Sequence, residues 1–583
     1  MQSTPRNRLK TRTGCIRCKQ RKIKCDETVP NCNQCMRRGY DCPGYKKPLK
    51  WSAKYEIGRG QAQETPAVSN PTPPEENDLS PYRVADGLDF TIAIDKLCPE
   101  FTTEYTDSHT PLSEWLDLAT IPAPLEDEDT RMFRYYFTTV CPVNSCFDSA
   151  QNFFRLEIGS LTTSCSLIYH AILSMSAAHL AGSRADMAII SLNHKTQAIS
   201  SLNNEIAQFS ENREASSGLA LDSTAELLLA TVILGMTDGW HTPSSLGITH
   251  LHGARILLKK WLSNDGSLDP SSRLGSFVIG VMAYWEAMSA FLINQPLDEL
   301  SYLDVFTELD EVIPYPPNPW TGICTPLFAY LAKVGTLVRQ RSSIQKLACD
   351  TGTAAVRDVL DGSLLQHARE TETCILSYRP PDPSLVSDTG DIRTPIDHLV
   401  QIARIYRWSA LLELYRSFPE LLEAGARRST TLQNLLSMAT SVLTLITAIP
   451  SSSGVTCLLT LPLIIAGSTL QHTSTHHAPT NAEASSGSSW TLLATELSTL
   501  PNNPSILNYW RNLVRDQIQA VHRYVGLAAI TRGEEILEKV WARADLGRAV
   551  DGPETGGQEG KKSSKFVLWT DVMMDERLES IFG

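Results

Sequence analysis

The sequence predicts two unlike folds in one chain: a small cysteine-stapled module of two short helices near the N-terminus and a large all-α body, joined by a disordered linker. Three observations predict it. Six cysteines between Cys15 and Cys42 follow the spacing C-x2-C-x6-C, then six residues, then C-x2-C-x6-C again. From Gln61 to about Pro124 the chain is rich in Pro, Ser, Thr and acids, as in ETPAVSNPTPPEEN, a composition that cannot bury a core. From about Glu126 onward the apolar residues recur at helical spacing nearly throughout, with no series of alternating strand patterns.

Thiolates bind zinc in tetrahedra of four, so two independent sites would need eight ligands and one site would leave two cysteines over. Six cysteines in two equal halves fit two zinc ions that share two bridging thiolates. Each C-x2-C pair can clasp one ion at a turn running into a short helix, and the cysteine seven residues further on returns to the same ion. Cys15 and Cys32, the first of each half, would be the bridges. Two other arrangements stand beside this one. A disulfide knot has no signal peptide or other secretory context to support it. A one-zinc ribbon on Cys15, Cys18, Cys32 and Cys35 leaves Cys25 and Cys42 without roles, although both sit at the same offset.

The charge around the cysteines says what the scaffold carries. Lys19, Arg21, Lys22 and Lys24 stand between Cys18 and Cys25, with Arg6, Arg8, Lys10, Arg12 and Arg17 ahead of them. The first 60 residues hold 16 Lys plus Arg against 4 Asp plus Glu, a local charge of +12. Some of these cations balance thiolates, but they are too many for that role alone. A short metal-stapled helix so charged suits phosphates and the acceptor-rich major-groove edge of guanine.

Cys15 to Cys42, with its K-Q-R-K-I-K run and Pro30 in the connecting loop, closely resembles the fungal binuclear zinc cluster transcription factors; the match covers all six ligands and both halves. The resemblance implies that Cys15, Cys18, Cys25, Cys32, Cys35 and Cys42 hold two zinc ions and that Pro30 shapes the loop. It implies a DNA-binding module whose first helix enters the major groove of double-stranded DNA at a CGG-type triplet. The family's paired basic residues fall on Arg21 and Lys22, with Lys22 ahead of Arg21 as base reader, since many relatives carry lysine where Arg21 stands. Arg12, Arg17, Lys19 and Lys24 are then phosphate contacts, which position the module without reading sequence.

At 583 residues the chain is too long for one domain. The expected division is a zinc cluster over 1–46, a basic and then Pro/Ser/acidic linker over 47–125, and a helical domain over 126–583. Composition is that of a soluble protein, with 42% hydrophobic and 20% charged residues. The net charge of −12 hides an asymmetry, because past residue 60 there are 36 basic and 60 acidic residues, a charge of −24. That part should be repelled by DNA rather than wrap it. No hydrophobic signal or transit segment is expected at the start. The longest apolar region, Leu435 to Gly467, is interrupted by Pro450, the Ser451 to Gly454 run and Pro462, so neither half reaches the roughly 20 residues of a membrane span and both read as buried helices. The eight cysteines outside the cluster read as buried thiols in a reducing compartment.

Directly after Cys42, Lys46, Lys47, Lys50 and Lys54 continue the positive charge, which can follow the DNA backbone or serve nuclear import; both place the protein in the nucleus. No coiled coil follows. The longest proline-free run there, Leu49 to Thr65, contains Gly58 and Gly60 and no heptad repeat, so a homodimer would have to form through another part of the chain. The segment SEWLDL, with Trp115, Leu116 and Leu118, reads equally as an activation segment or as an amphipathic lead-in to the domain behind it.

In the body, Phe133, Phe137 and Val140 recur at helical spacing, as do Ile168, Ile172 and Met175, and Leu537, Val540 and Trp541 form a further apolar face. Thr394, Pro395 and Asp397 read as an N-cap, first-turn proline and acidic third position. FRYYFTTVCP, AILSMSAAHLA, YRWSALLELYR, LPLIIAG, LEKVWARAD and WTDVM are similar, in this order, to landmarks of the helical fungal-specific transcription factor domain. That resemblance implies an all-α regulatory domain that holds partners, such as the transcription machinery or co-regulators, or senses a signal, and no catalytic residues. Catalytic readings are thin. Gly556, Gly560 and Lys561 are similar to a phosphate loop, but the spacing is one short and no strand precedes them. His472, His476 and His477 sit in a Ser/Thr-rich loop, His170 and His179 read as satisfied core histidines, and the closing FVLWTDVMMDERLESIF reads as a docked amphipathic helix in preference to the alternative, an acidic activation tail. The expected function is a nuclear DNA-binding regulator of RNA polymerase II transcription, acting on a biosynthetic or catabolic gene set. A zinc-containing interaction scaffold is the alternative.

Overall fold

The computed structural model describes residues 15, 17, 18, 21, 23, 25, 26, 28, 32–40, 42, 127–211, 220–263, 273–307, 315–346, 354–422, 428–471, 504–550 and 566–582. The linker with its SEWLDL segment, Pro30, the Gly556–Lys561 loop and His472, His476 and His477 lie outside these residues. The chain divides into two units, Met1–Glu75 and Glu76–Gly583.

In the first unit a helical turn at Arg17 and Cys18 is closed by Arg21 N–H donating to Arg17 O at 3.2 Å. Helix α1 (Asn33–Met36) starts the second half, with Cys32 at its N-cap. The two halves repeat each other in their hydrogen bonds. Cys15 N–H points at Cys25 Sγ as Cys32 N–H points at Cys42 Sγ, both at 3.4 Å. Cys18 N–H meets Cys15 Sγ at 3.4 Å as Cys35 N–H meets Cys32 Sγ at 3.3 Å. Ile23 N–H donates to Cys18 O as Tyr40 N–H donates to Cys35 O, both at 3.1 Å. The sequence repeat is therefore a backbone repeat: equal spacing of thiols forces equal turns.

The second unit is all helical among the described residues, whose only bridges are the isolated pairs Tyr315–Val386 and Asn318–Gly322. Its main helices are α2 (Glu128–Tyr135), α3 (Phe153–Ser164), α4 (Ser166–Ala181), α5 (Met187–Glu211), α6 (Ala220–His241), α7 (Ile248–Ser263), α8 (Arg273–Ser289), α9 (Thr325–Lys346) and α10 (Ala354–Ser377). They continue with α11 (Ile396–Ser417), α12 (Arg428–Thr447), α13 (Thr460–Thr469), α14 (Pro504–Val525), α15 (Ala528–Val550) and α16 (Trp569–Asp575). Consecutive helices pack as hairpins: α4 on α5, α8 on α9, α14 on α15. Helix α6 packs on α4, α5 and α7, and α11 on α9, α10, α12 and α13.

Helix α2 begins where the Asp127 carboxylate accepts Thr130 N–H at 2.7 Å, with Glu128 and Asp129 completing an acidic first turn that complements the helix dipole. It runs into a π-helical turn at Tyr136–Val140. Along this run Met132, Tyr136 and Val140 are buried, and Phe133 and Phe137 are half-buried against the core. The expected apolar face of Phe133, Phe137 and Val140 therefore packs on the core at all three positions, most deeply at Val140. The other two faces stand as read, with Ile168, Ile172, Met175, Leu537, Val540 and Trp541 all buried.

Thr394 does not cap α11. Its hydroxyl accepts Gly454 N–H at 3.0 Å, across the fold, and Pro395 occupies the cap position with no side-chain cap bond. The apolar region from Leu435 resolves into α12, a 3-10 turn at Gly454–Leu458 and α13, every residue of which is buried. Among the described residues no helix is long and apolar enough to cross a membrane. Close approaches need glycine: a Cβ on Gly235 would lie 2.3 Å from the Trp285 ring.

Two Arg–Glu pairs lie inside the core among the described residues. Glu286 of α8 takes Arg255 of α7 in two hydrogen bonds of 2.5 and 2.6 Å and also accepts the Tyr302 hydroxyl, and Arg255 reaches Gln295 at 2.6 Å. On α11, Glu413 pairs with Arg416, both fully buried. Arg416 also donates to Ser468 Oγ at 2.5 Å and Ile465 O at 3.3 Å on α13, and Trp569 Nε1 donates to Glu413 at 3.1 Å. The closing segment is thereby docked, with Trp569, Val572, Met573, Ile581 and Phe582 buried.

Candidate metal centre and nucleic-acid interface

The thiols of the first unit converge. Cys15, Cys18, Cys25, Cys32 and Cys35 are buried and Cys42 is half-buried against them with Ile23. The described cysteines are not joined in disulfides. Cys15 Sγ lies 3.6 Å from Cys32 Sγ and 3.8 Å from Cys35 Sγ, and Cys18 Sγ lies 3.7 Å from Cys32 Sγ. A zinc tetrahedron with bonds of about 2.3 Å has S···S edges of about 3.8 Å, so these sulfurs are already spaced as its edges. Each of those contacts includes Cys15 or Cys32.

The sulfurs of Cys15, Cys18, Cys32 and Cys35 all lie within 4.8 Å of one another, and those of Cys25 and Cys32 fall within the same limit together with the Asp26 carboxylate. A one-ion ribbon uses the first set alone. The second set and the matched N–H contacts to Cys25 and Cys42 bring the remaining two cysteines to the same centre. Burial, then the neighbouring Cys15 thiol, pushes the Cys18 thiol up to about 12, and burial raises Cys15 and Cys32 likewise. Sulfurs so crowded ionise when a cation compensates them, and thiolate is the form that binds zinc. The residues present therefore fit zinc.

Of the basic residues read from the sequence, the structure describes Arg17 and Arg21; Arg12, Lys19, Lys22 and Lys24 lie outside the described residues. Arg17 and Arg21 come together over one ring, with guanidinium carbons 5.4 Å and 4.1 Å from the centroid of Tyr40. Tyr40 was not singled out by sequence reasoning, nor was Asp26. The Asp26 carboxylate accepts Thr28 Oγ1 at 2.7 Å, Asn33 N–H at 3.0 Å and Gln34 N–H at 3.4 Å, joining the end of the first half to the first turn of α1. Those bonds, the Thr28 hydroxyl first, hold its carboxyl down at about 2. The signal for both was available in the repeat, where Tyr40 takes the place of Ile23 and Asp26 directly follows a ligand.

In the helical body, both ring nitrogens of His179 are bonded at 2.8 Å, to Tyr135 Oη and Val525 O, and His170 Nδ1 meets His194 Nδ1 at 3.0 Å. Both histidines are held by the fold, as read. A cavity of about 20 Å³ bounded by Asn144, Trp240, Tyr284, Trp320, Cys457 and Thr460 has room for about one water.

Comparison with known proteins places both units. The family described as Fungal specific transcription factor domain matches residues 131–583, and the Fungal Zn(2)-Cys(6) binuclear cluster domain matches residues 13–52. Among curated proteins, the arginine metabolism regulation protein II of Saccharomyces cerevisiae is 47% identical over 65 residues, 11% of this chain and 7% of that protein. The aspercryptin biosynthesis cluster-specific transcription regulator of Emericella nidulans is 34% identical over 73 residues, 11% of this chain and 12% of that one. A Zn(2)-C6 fungal-type transcription factor of Gibberella zeae is 54% identical over 37 residues, 6% of this chain and 8% of that protein. The aligned part is thus a small fraction of each relative's length. No solved structure matches the chain.

Proposed function

The chain belongs to the fungal-specific transcription factor domain family and carries that family's Zn(2)-Cys(6) cluster, and from this premise we propose how it works as a DNA-binding regulator. The family is one of transcription factors, not enzymes. Two zinc ions fold the module over residues 1–46, with Cys15 and Cys32 bridging and Cys18, Cys25, Cys35 and Cys42 terminal. Lys22 and Arg21 read a CGG-type triplet in the major groove, and Arg12, Arg17, Lys19 and Lys24 hold phosphates. Residues 47–125 tether the module, and residues 126–583 couple binding to RNA polymerase II transcription in the nucleus through co-regulators and a homodimer. The gene set is biosynthetic or catabolic, in keeping with the names of the relatives above.

The observation that carries this reading is the convergence of the thiols at zinc-tetrahedron spacing inside a segment of charge +12. Gel shifts of the full chain on CGG-containing and scrambled duplexes across a salt series test it. Preferential CGG binding that steepens with falling salt and disappears with chelator is expected. Equal binding to both duplexes, or none, would return the chain to the scaffold reading. Elemental analysis should give two zinc ions per chain, and one ion would restore the ribbon.

A further inference from the structure

Tyr40 comes from the second half of the module, yet its ring carries the basic side chains of the first. Arg17 and Arg21 are one helical turn apart, joined by the Arg21 N–H to Arg17 O bond of 3.2 Å, so their side chains leave the same side of the turn. Both guanidinium groups lie over Tyr40, Arg21 at 4.1 Å and Arg17 at 5.4 Å from the ring centroid. Tyr40 is itself fixed by its N–H bond to Cys35 O at 3.1 Å, the counterpart of the bond that fixes Ile23 in the first half. The two equivalent positions have diverged in use. Ile23 packs on the thiols, whereas Tyr40 is 38% exposed and faces the arginines.

A guanidinium stacked on an aromatic face keeps its N–H donors in its own plane, directed outward at the edge. Arginine normally surrenders considerable rotamer freedom when it docks on a nucleic acid, and a guanidinium already stacked has surrendered part of it. Resting on the reading that this module binds DNA, we infer that Tyr40 is a positioning residue: its ring presents the Arg21 N–H edge to a pair of in-plane acceptors on the duplex. The acceptors are guanine O6 and N7 or two phosphate oxygens, which share this geometry. Through Tyr40 the second half of the cluster takes part in reading by the first.

The test uses the full chain, with zinc content measured for every variant, on CGG and scrambled duplexes. Tyr40→Ala should weaken CGG binding about 2- to 5-fold, the range expected for an exposed cation–π contact with its preorganisation. Tyr40→Phe, which keeps the ring but loses the hydroxyl that Arg21 also bonds, should lose less than Tyr40→Ala, and Tyr40→Leu, which keeps bulk without a π face, should match Tyr40→Ala. In an Arg21→Ala background Tyr40→Ala should cost nothing more. Loss of CGG preference identifies the base edge as the acceptor; uniform weakening identifies phosphate. Equal losses in both backgrounds, a Phe variant as weak as the Ala variant, or zinc loss in the Ala and Leu variants alike would overturn the inference. If the parent chain itself fails to favour CGG, the DNA reading falls instead; if the parent favours it and Tyr40→Ala is unchanged, only the positioning role falls.

Discussion

The cysteine module and the helical body are stabilised by opposite means. The described part of the module offers Ile23 as its partly buried aliphatic side chain, and the rest of its interior is sulfur. The body buries residues from nearly every helix in one continuous core, including Trp285, Trp569, Tyr406 and Phe328. A segment so short cannot bury enough apolar surface to offset its chain entropy, so ligand bonds must supply what packing supplies elsewhere. The contrast teaches that the two units should fail under different challenges and that neither failure should propagate as a loss of packing in the other.

Metal removal is the strongest way to break the contrast. Chelation, or Cys32→Ala at a position proposed to bridge, should unfold the module, since structural zinc contributes on the order of 10 kcal/mol to folding of such sites. DNA binding should vanish while the main thermal transition of the body stays within a degree or so of the parent, read by calorimetry with and without chelator. A coincident shift of the body's transition would show that the units are not independent.

A buried charge probes the other side. Arg416→Ala removes the pull that opposes burial at Glu413, so the carboxyl loses its counter-charge in the core and must take up a proton or stay ionised at a cost. Breaking such a pair from one side costs about 3–5 kcal/mol. Chemical denaturation should show that loss in the body while zinc content is unchanged, and a loss below 1 kcal/mol would mean that water reaches the site.

The smallest expected effect is a pH dependence. Burial, with Lys195 nearby as the second cause, holds His241 down at about 4 from an ordinary 6.5. Between those values the unfolded chain binds a proton that the folded chain refuses, so stability rises with pH from about 4 to 6.5 and is level above. The slope from this group is at most about 1.4 kcal/mol per pH unit. Denaturation midpoints between pH 5 and 7 should show it, and His241→Gln should flatten it. The zinc module should lose metal as thiolates protonate, a separate process that metal analysis at each pH distinguishes.

How much was legible follows from range. The six clustered cysteines were readable because metal binding imposes a spacing on neighbouring residues, and most helix faces because apolar periodicity is local. The π-turn at Tyr136–Val140 was not, because a wider turn leaves the composition and the apolar spacing around it unchanged. Thr394 carries the local signature of a cap, yet a backbone amide 60 residues away takes its hydroxyl. Glu413 and Arg416 sit at i and i+3 like a surface pair, and only the packing of α13 and Trp569 against them reveals a core site. Tyr40 lies between these cases: its partners are distant in sequence, but the internal repeat marks its position.

The bond from Trp569 to Glu413 joins residues 156 positions apart. Protein synthesis adds about 5–20 residues per second, so a growing chain carries Glu413 and Arg416 for roughly 10–30 s before Trp569 exists to cover them. During that interval the centre of the body lacks its closing element, and the nascent chain exposes an acid, a base and the apolar flank of α13 to whatever binds unfinished proteins. The zinc module, made long before, has every ligand it needs once Cys42 has been added. The two units of this regulator therefore mature on different clocks, one set by metal at Cys15 to Cys42 and the other by the arrival of Trp569 at Glu413.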